Sequence, residues 1–221
     1  VLGACERIMQ EGFAQPYLIG DQGSIQAKAS EHGVSLEGVE IRDPAHDAHL
    51  DAYVQELVKL RQHKGVDENK AKELLQDVKY FAAMMLHMGH ADGCVTGATH
   101  PTSETILPAV QVVGMQEGFK RASSYFLMTK DEEKLFFADC AFVVNPEAEE
   151  LADIAIATSD SAKNYDVDPK VAMLSFSTYG SAKHEMVDKV KHATEMVKQK
   201  RPDVLIDGEL QFDAAADMPD E

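Results

Sequence analysis

Two loops rich in small and hydroxyl residues have the composition of a binding site for a phosphate or carbonyl group. The first covers residues 96–103 and reads Thr-Gly-Ala-Thr-His-Pro-Thr-Ser, and the second covers residues 175–182 and reads Ser-Phe-Ser-Thr-Tyr-Gly-Ser-Ala. Glycine allows close backbone approach, and hydroxyls donate hydrogen bonds to carbonyl or phosphate oxygens. The alternative for each is a tight turn with capping hydroxyls. Because both loops lie between a predicted strand and a predicted helix, together they favour a ligand site.

Neither loop has the glycine spacing of a nucleotide-binding motif. The patterns Gly-x-x-x-x-Gly-Lys and Gly-x-Gly-x-x-Gly are both absent from the chain. A site for a nucleoside triphosphate or NAD is therefore not supported.

Arg61 lies in a basic cluster, residues 61–64, at the predicted end of a helix. A guanidinium group holds phosphate through two hydrogen bonds, so Arg61 is a candidate phosphate ligand. The competing interpretation is that these cations suit the negative end of the helix dipole.

Two histidine pairs have the spacing of metal ligands, His46-x-x-His49 and His87-x-x-His90. The sequence places no third ligand of suitable type beside either pair. We therefore predict no metal site. The three cysteines are widely spaced within apolar runs, which is typical of buried free thiols in a reducing compartment, although a catalytic thiol stays open.

The composition restricts the partners. The chain has 221 residues, 44% of them hydrophobic, and a formal net charge of −17. This excess of acidic groups opposes general binding to nucleic acid or anionic lipid, which both require excess Lys and Arg. No apolar run approaches the ~20 residues of a membrane helix, and the first residues do not resemble a signal peptide. We predict a cytoplasmic protein that binds neither nucleic acid nor membrane.

Short apolar runs alternate with amphipathic segments, which predicts an α/β protein with mainly parallel sheets. The expected elements include a buried strand at residues 92–95, a helix at 102–113, a hairpin within 123–144 and a strand at 171–175. Asn145 and Pro146 predict the start of a helix that runs to about residue 165. The change of pattern near residue 117 predicts two lobes, residues 1–117 and 118–221.

Several stretches in consistent order resemble the phosphate acetyltransferase (phosphotransacetylase) family. The matching residues are 14–20, 60–65, 91–100, 146–155, 174–181 and 207–215. The resemblance implies two three-layer α/β/α lobes like those of isocitrate and isopropylmalate dehydrogenases, incomplete at the C-terminus of this chain. It also implies a homodimer that interconverts acetyl-CoA plus phosphate with acetyl phosphate plus CoA and needs no tightly bound cofactor.

The resemblance assigns six residues to substrate. Arg61 matches an arginine that binds a CoA phosphate, and Thr102 matches a hydroxyl residue that lines the substrate site. In the second loop, the matching residues are Ser177, Thr178, Gly180 and Ser181. The family's catalytic Asp and a Ser-Arg pair would lie beyond Glu221, so no catalytic residue is assigned within the chain. We expect the chain to be clipped at both ends and inactive alone.

One position departs from the family pattern. Leu107 stands where the family usually has a second CoA-binding arginine, and a leucine side chain does not bind phosphate. This leaves two alternatives open: a non-catalytic acetyl-CoA sensor like the domain found in large malic enzymes, and an acyltransferase of the phosphate butyryltransferase type.

Overall fold

The computed structural model describes residues 1–119 and 121–216, and these form two compact units. One unit covers Val1–Gly114 and the other begins at Met115. Helices combine with short parallel sheets, so the predicted α/β class is confirmed. The predicted lobe boundary after residue 117 stays a prediction, and residues 217–221 of the second predicted lobe lie outside the described residues.

The first unit is mainly helical. Its two strands, β1 (Tyr17–Ile19) and β2 (Glu40–Arg42), pair in parallel. Its helices are α1 (Leu2–Glu11), α2 (Gln22–Glu31), α3 (Leu50–Arg61), α4 (Glu68–Leu75), α5 (Val78–His87) and α6 (Thr102–Val112). A 3₁₀ turn, Gln62–Lys64, follows α3. No helix in the described part of the chain is both long and apolar enough to cross a membrane.

The core of the first unit lies between α3, α4, α5 and α6. Buried residues of α3 recur every three to four positions, which gives one apolar face, whereas residues 80–85 of α5 are all buried, so α5 is surrounded by protein on most sides. Leu57, Leu75, Phe81 and Met84 are fully buried there, and Phe81 packs edge-on against Tyr53 with ring centroids 5.2 Å apart. Leu57 of α3 belongs to this core near the end that carries Arg61, whereas α6 contributes Val112, at the end opposite Thr102.

The second unit contains two separate pairs of strands. Strands β3 (Tyr125–Lys130) and β4 (Glu133–Ala138) form the antiparallel hairpin that the sequence predicts. Strands β5 (Lys170–Leu174) and β6 (Leu205–Leu210) pair in parallel. Helices α7 (Ala148–Lys163) and α8 (Glu185–Lys200) pack against β5 and β6, and a short helix, α9 (Phe212–Ala216), follows β6.

The buried strand predicted at residues 92–95 is wrong. This segment is irregular, Val95 is fully exposed, and Cys94 is exposed rather than buried. A strand needs a neighbour to accept its backbone hydrogen bonds, and the described residues place no strand beside this one. The prediction of a buried thiol is confirmed for Cys5.

The predicted start of α7 is also wrong. Glu147, not Asn145, caps the helix, and its N–H donates to the Glu150 side chain at 3.0 Å in a reciprocal capping box. The capping box satisfies two free N–H groups, whereas a single asparagine cap would satisfy one. Asn145 instead accepts a hydrogen bond from Lys189 Nζ at 2.9 Å.

An ion-pair network predicts how stability changes in acid. The Arg201 guanidinium donates to both Asp160 and Asp203, and these hydrogen bonds lower the pKa of both carboxyls, that of Asp203 to about 2. A carboxyl group whose pKa is lower in the folded than in the unfolded protein stabilises the fold at pH values above its unfolded-state pKa of about 3.9. This stabilisation is lost as the pH falls toward the folded-state pKa of about 2.

We therefore expect Asp203→Asn to be less stable than the native protein at pH 5, with a difference that vanishes near pH 2. Urea unfolding over a pH series measures this difference. Glu132→Gln, which removes a charge from the turn between β3 and β4, is the control. A difference for Asp203→Asn that grows below pH 4 would contradict the assignment.

Candidate functional site

The second hydroxyl-rich loop, residues 175–182, is here called the serine loop. It begins at the carboxyl end of β5 and lies against the end of β6. The Ser175 N–H donates to the Leu210 carbonyl at 2.8 Å, and the Tyr179 N–H donates to the Glu209 carbonyl at 3.3 Å. Loops at this end of parallel strands are the usual place for ligands in α/β proteins.

The hydroxyls of the serine loop are largely bonded within the loop and its neighbours. Ser177 is fully buried, and its hydroxyl donates to Glu209 Oε1 at 3.0 Å while accepting from the Ala182 N–H at 3.1 Å. Ser181 is exposed, and its hydroxyl accepts from the Thr178 N–H at 3.0 Å. Of the predicted ligands in this loop, Ser177 therefore faces the interior and Ser181 faces solvent.

Thr178 connects the serine loop to the end of β6. Its hydroxyl donates to Gln211 Oε1 at 3.3 Å and accepts from the Gln211 N–H at 2.9 Å. The phenol hydroxyl of the next residue, Tyr179, donates a hydrogen bond to Asp207. This hydrogen bond raises the pKa of Tyr179 and lowers the pKa of Asp207. Both contacts bind the loop to the β6 chain.

Glu209 is the buried charged residue beneath the serine loop. It is 1% exposed, and its Oε1 accepts from the Gly180 N–H at 2.6 Å and lies 3.5 Å from Lys191 Nζ on α8. Burial by itself would raise the pKa of Glu209, but the hydrogen bonds from Gly180, its own N–H and Ser177, together with the Lys191 charge, lower it overall. The carboxylate is thus held ionised within the unit.

Glycine at position 208 is required for the close approach of β6 to β5. Its φ of +152° is unfavourable for other residues. A Cβ atom here would lie 2.6 Å from Met173 Cβ and 2.7 Å from the Met173 carbonyl oxygen. Gly208 therefore fixes the position of β6 against β5, and β6 carries the buried side chain of Glu209.

Arg61, the predicted phosphate ligand, ends α3 in the first unit. Its Nε is buried, and no described residue accepts a hydrogen bond from it. Arg61 is close enough to Tyr80 to lower the pKa of that phenol, although burial raises it more. The Arg42 Nε is also buried without an acceptor among the described residues, so this feature is compatible with a phosphate ligand at Arg61 but is not specific to it.

Thr102 is the exposed first residue of α6. Tyr80, which is near Arg61, donates its hydroxyl to Gln111 at the other end of this helix, at 2.8 Å. Since a helix rises about 1.5 Å per residue, Thr102 and Gln111 lie ~14 Å apart along α6. The structure therefore does not bring Thr102 into direct contact with the Arg61 environment. Leu107, on the same helix, is half exposed.

One histidine of each pair contacts a neighbouring side chain. His90 Nδ1 lies 2.7 Å from the hydroxyl of buried Tyr53, and His46 Nδ1 lies 2.9 Å from Asp43 Oδ2. Nowhere in residues 1–119 or 121–216 do three His, Cys, Asp or Glu side chains form a group that could hold a metal.

Sequence reasoning missed Glu209 as the organising group of the serine loop. One signal was present: Glu209 lies near the end of β6, within residues 207–215, a stretch that resembles the family. A buried carboxylate requires donors, and the glycine- and serine-rich loop is their source.

Comparisons with known proteins identify the family of the chain. The family model described as phosphate acetyl/butaryl transferase matches residues 1–219. The phosphate acetyltransferase of Clostridium acetobutylicum is 46% identical over 221 residues, and that of Bacillus subtilis is 43% identical over 215 residues. Each alignment covers 97% of this chain and 66% of the relative.

Two solved structures are also similar. The EutD phosphotransacetylase of Staphylococcus aureus has a TM-score of 0.89 at 38% identity, and a phosphotransacetylase of Streptococcus pyogenes has 0.87 at 42%. Both comparisons cover 96% of this chain and 65% of the solved chain. This chain thus spans about two thirds of the length of the relatives it matches, and it belongs to the phosphate acetyl/butaryl transferase family.

Proposed function

We propose that the protein containing this chain is a phosphate acetyltransferase, which transfers an acetyl group between CoA and inorganic phosphate. The observation that carries the proposal is the similarity to phosphate acetyltransferases along nearly the whole chain. The unpartnered Nε of Arg61 adds support, because it offers a donor to an anionic group.

The proposed chemistry needs a base, a site for CoA and a site for the acyl phosphate. A general base removes the proton from the CoA thiol, the thiolate attacks the carbonyl carbon of acetyl phosphate, and phosphate leaves. Hydrogen-bond donors stabilise the negative charge that develops on the carbonyl oxygen. We assign no residue of this chain as the base.

We propose Arg61 as a ligand of a CoA phosphate group. We propose Thr102, in the first unit, as a residue that contacts substrate. In the second unit we propose that the serine loop binds the acyl phosphate through Thr178, Gly180 and Ser181. Ser177 stays in the proposed site, and its contacts with Glu209 and Ala182 favour a contribution through the shape of the loop.

The remaining features of the proposal depend on the resemblance to the family. We propose three-layer lobes related to those of isocitrate and isopropylmalate dehydrogenases, a homodimer, and a cytoplasmic location. We further propose that CoA serves as a substrate and that no cofactor or metal is tightly bound. The expected lack of activity in residues 1–221 alone stays a prediction.

The test is a thiol-release assay on the full gene product that contains this chain, with acetyl-CoA and phosphate as substrates. The proposal expects enzymatic turnover and less turnover with butyryl-CoA. A preference for butyryl-CoA would favour the butyryltransferase alternative. Acetyl-CoA binding without turnover would favour the sensor alternative, for which Leu107 is the supporting observation.

Restoring a cation at position 107 is expected to improve CoA binding. Leu107 is half exposed on α6, so an arginine there fits without burial of an unpaired charge. If the new guanidinium reaches a CoA phosphate, Leu107→Arg strengthens binding by about 1 to 3 kcal/mol.

Calorimetric titration of the full gene product with CoA measures the effect of Leu107→Arg. Val110→Arg, another half-exposed position on α6, is the control for a general increase in positive charge. Equal affinities for the native protein and Leu107→Arg would contradict the alignment with the family at this position.

A further inference from the structure

One carboxylate oxygen connects three elements of the second unit. Glu209 Oε1 accepts from the Gly180 N–H at 2.6 Å and from the Ser177 hydroxyl at 3.0 Å, and lies 3.5 Å from Lys191 Nζ. Gly180 lies at the turn of the serine loop, Ser177 near its start, and Lys191 on α8. The Ser177 hydroxyl donates its one proton to Glu209, and its oxygen accepts from the Ala182 N–H at 3.1 Å and from the Ser181 hydroxyl at 3.4 Å.

We propose that Glu209 is a positioning residue of this site, which holds the serine loop in the conformation that binds the phosphate end of the acyl phosphate. This inference depends on the proposed transferase function for the identity of the ligand. The loop geometry itself is independent of that function.

The conformation of the serine loop requires such an acceptor. Tyr179 and Gly180 have φ angles of +45° and +84°, so two successive residues adopt left-handed backbone. This conformation is unfavourable for tyrosine and persists only where surrounding contacts fix it. It also directs the Gly180 N–H at the buried Glu209 oxygen. Without this acceptor the N–H would be unsatisfied, and the left-handed turn would lose its main inward contact.

Two substitutions at position 209 differ in whether they keep a hydrogen-bond acceptor. Glutamine keeps an oxygen that accepts from Gly180 and Ser177, whereas alanine removes the acceptor entirely. A positioning role through these hydrogen bonds therefore predicts that Glu209→Gln retains most of the loop structure and that Glu209→Ala loses it. A side chain that only filled space would show little difference between the two.

Hydrogen exchange of the full gene product tests the loop directly. In Glu209→Ala we expect amides in residues 175–182 to exchange at least tenfold faster than in the native protein, with β1 and β2 unchanged. Glu209→Gln should stay within about threefold of native. The control is Glu195→Ala, which removes an exposed carboxylate from α8 that pairs with Lys198 at 3.4 Å. Unchanged exchange of the loop in Glu209→Ala, or equally faster exchange throughout the protein, overturns the proposal.

Steady-state kinetics test the link to substrate. We expect Glu209→Ala to raise the KM for acetyl phosphate and for phosphate at least tenfold while the KM for CoA changes less than twofold, and we expect Glu209→Gln to restore most of the loss. Equal increases in all KM values overturn the assignment to the phosphate end.

An inactive native protein and an unfolded Glu209→Ala variant have different consequences for the proposal. If the native protein has no transferase activity, the proposed function fails, but the exchange experiment still decides whether Glu209 holds the loop. If Glu209→Ala does not fold, Ser177→Ala and Lys191→Met each remove one contact to the same oxygen. Faster exchange confined to residues 175–182 in Ser177→Ala then supports the proposal, and native exchange in both variants overturns it.

Discussion

Alanine at position 208 is expected to reduce the free energy of unfolding by about 4 kcal/mol. The new Cβ would lie 2.6 Å from Met173 Cβ and 2.7 Å from the Met173 carbonyl oxygen, so the backbones of β5 and β6 would have to separate. An overpacked contact of this kind costs about 1 to 3 kcal/mol, and an unfavourable non-glycine backbone conformation costs a similar amount. Met173 lies in the core of the second unit, which leaves little room to relax.

Urea unfolding followed by circular dichroism measures the effect of Gly208→Ala. The matched control is Gly118→Ala in the same unit, because Gly118 has a φ of +90° but, apart from its chain neighbours, no atom of the described residues within 4 Å of the position of the new Cβ. This control isolates the cost of a left-handed backbone for alanine, about 1 to 2 kcal/mol. Equal destabilisation by the two substitutions would show that the contact with Met173 does not determine the effect.

Removal of the Arg61 side chain is expected to weaken CoA binding by about 3 kcal/mol, or more than a hundredfold. The Nε of Arg61 is buried and has no acceptor among the described residues, so a phosphate oxygen would satisfy a donor that is otherwise unpaired. Charge-assisted hydrogen bonds to phosphate are among the stronger single contacts in proteins.

Calorimetric titration of the full gene product with CoA tests this expectation. Arg61→Lys keeps the charge but loses the two-pronged geometry, so we expect an intermediate loss. Arg7→Ala, which removes an exposed arginine that pairs with Glu11, controls for the change in net charge. Unchanged affinity in Arg61→Ala, with normal stability, would remove Arg61 from the proposed CoA site.

Local sequence signals predict the order of most elements. The βα alternation, the hairpin between residues 125 and 138 and the two helices of the second unit are all present. These elements depend on periodicity and turn residues, which lie close together in the chain. The predicted start of α7 is wrong because two possible N-cap residues lie within three residues of one another. Their relative stability depends on the reciprocal hydrogen bonds between Glu147 and Glu150.

The candidate site is less predictable for a physical reason. The serine loop is recognisable by composition, but its shape depends on Glu209, which follows Ser177 by 32 residues. No local rule connects a loop to a buried carboxylate on a neighbouring strand, because the contact forms only when β5 and β6 pair. For the same reason the sequence indicates Arg61 as a cation but not that its Nε is buried without a partner.

Helix α6 contains a buried proline, Pro108, between Thr102 and Gln111. Proline has no N–H, so the carbonyl of Glu104 lacks its usual helical donor. The first turn of α6, which carries Thr102, is therefore joined to the rest of the helix by fewer hydrogen bonds than the turn that carries Gln111. Thermal opening of α6 is therefore expected to begin at Thr102 and not at the end that packs through Val112.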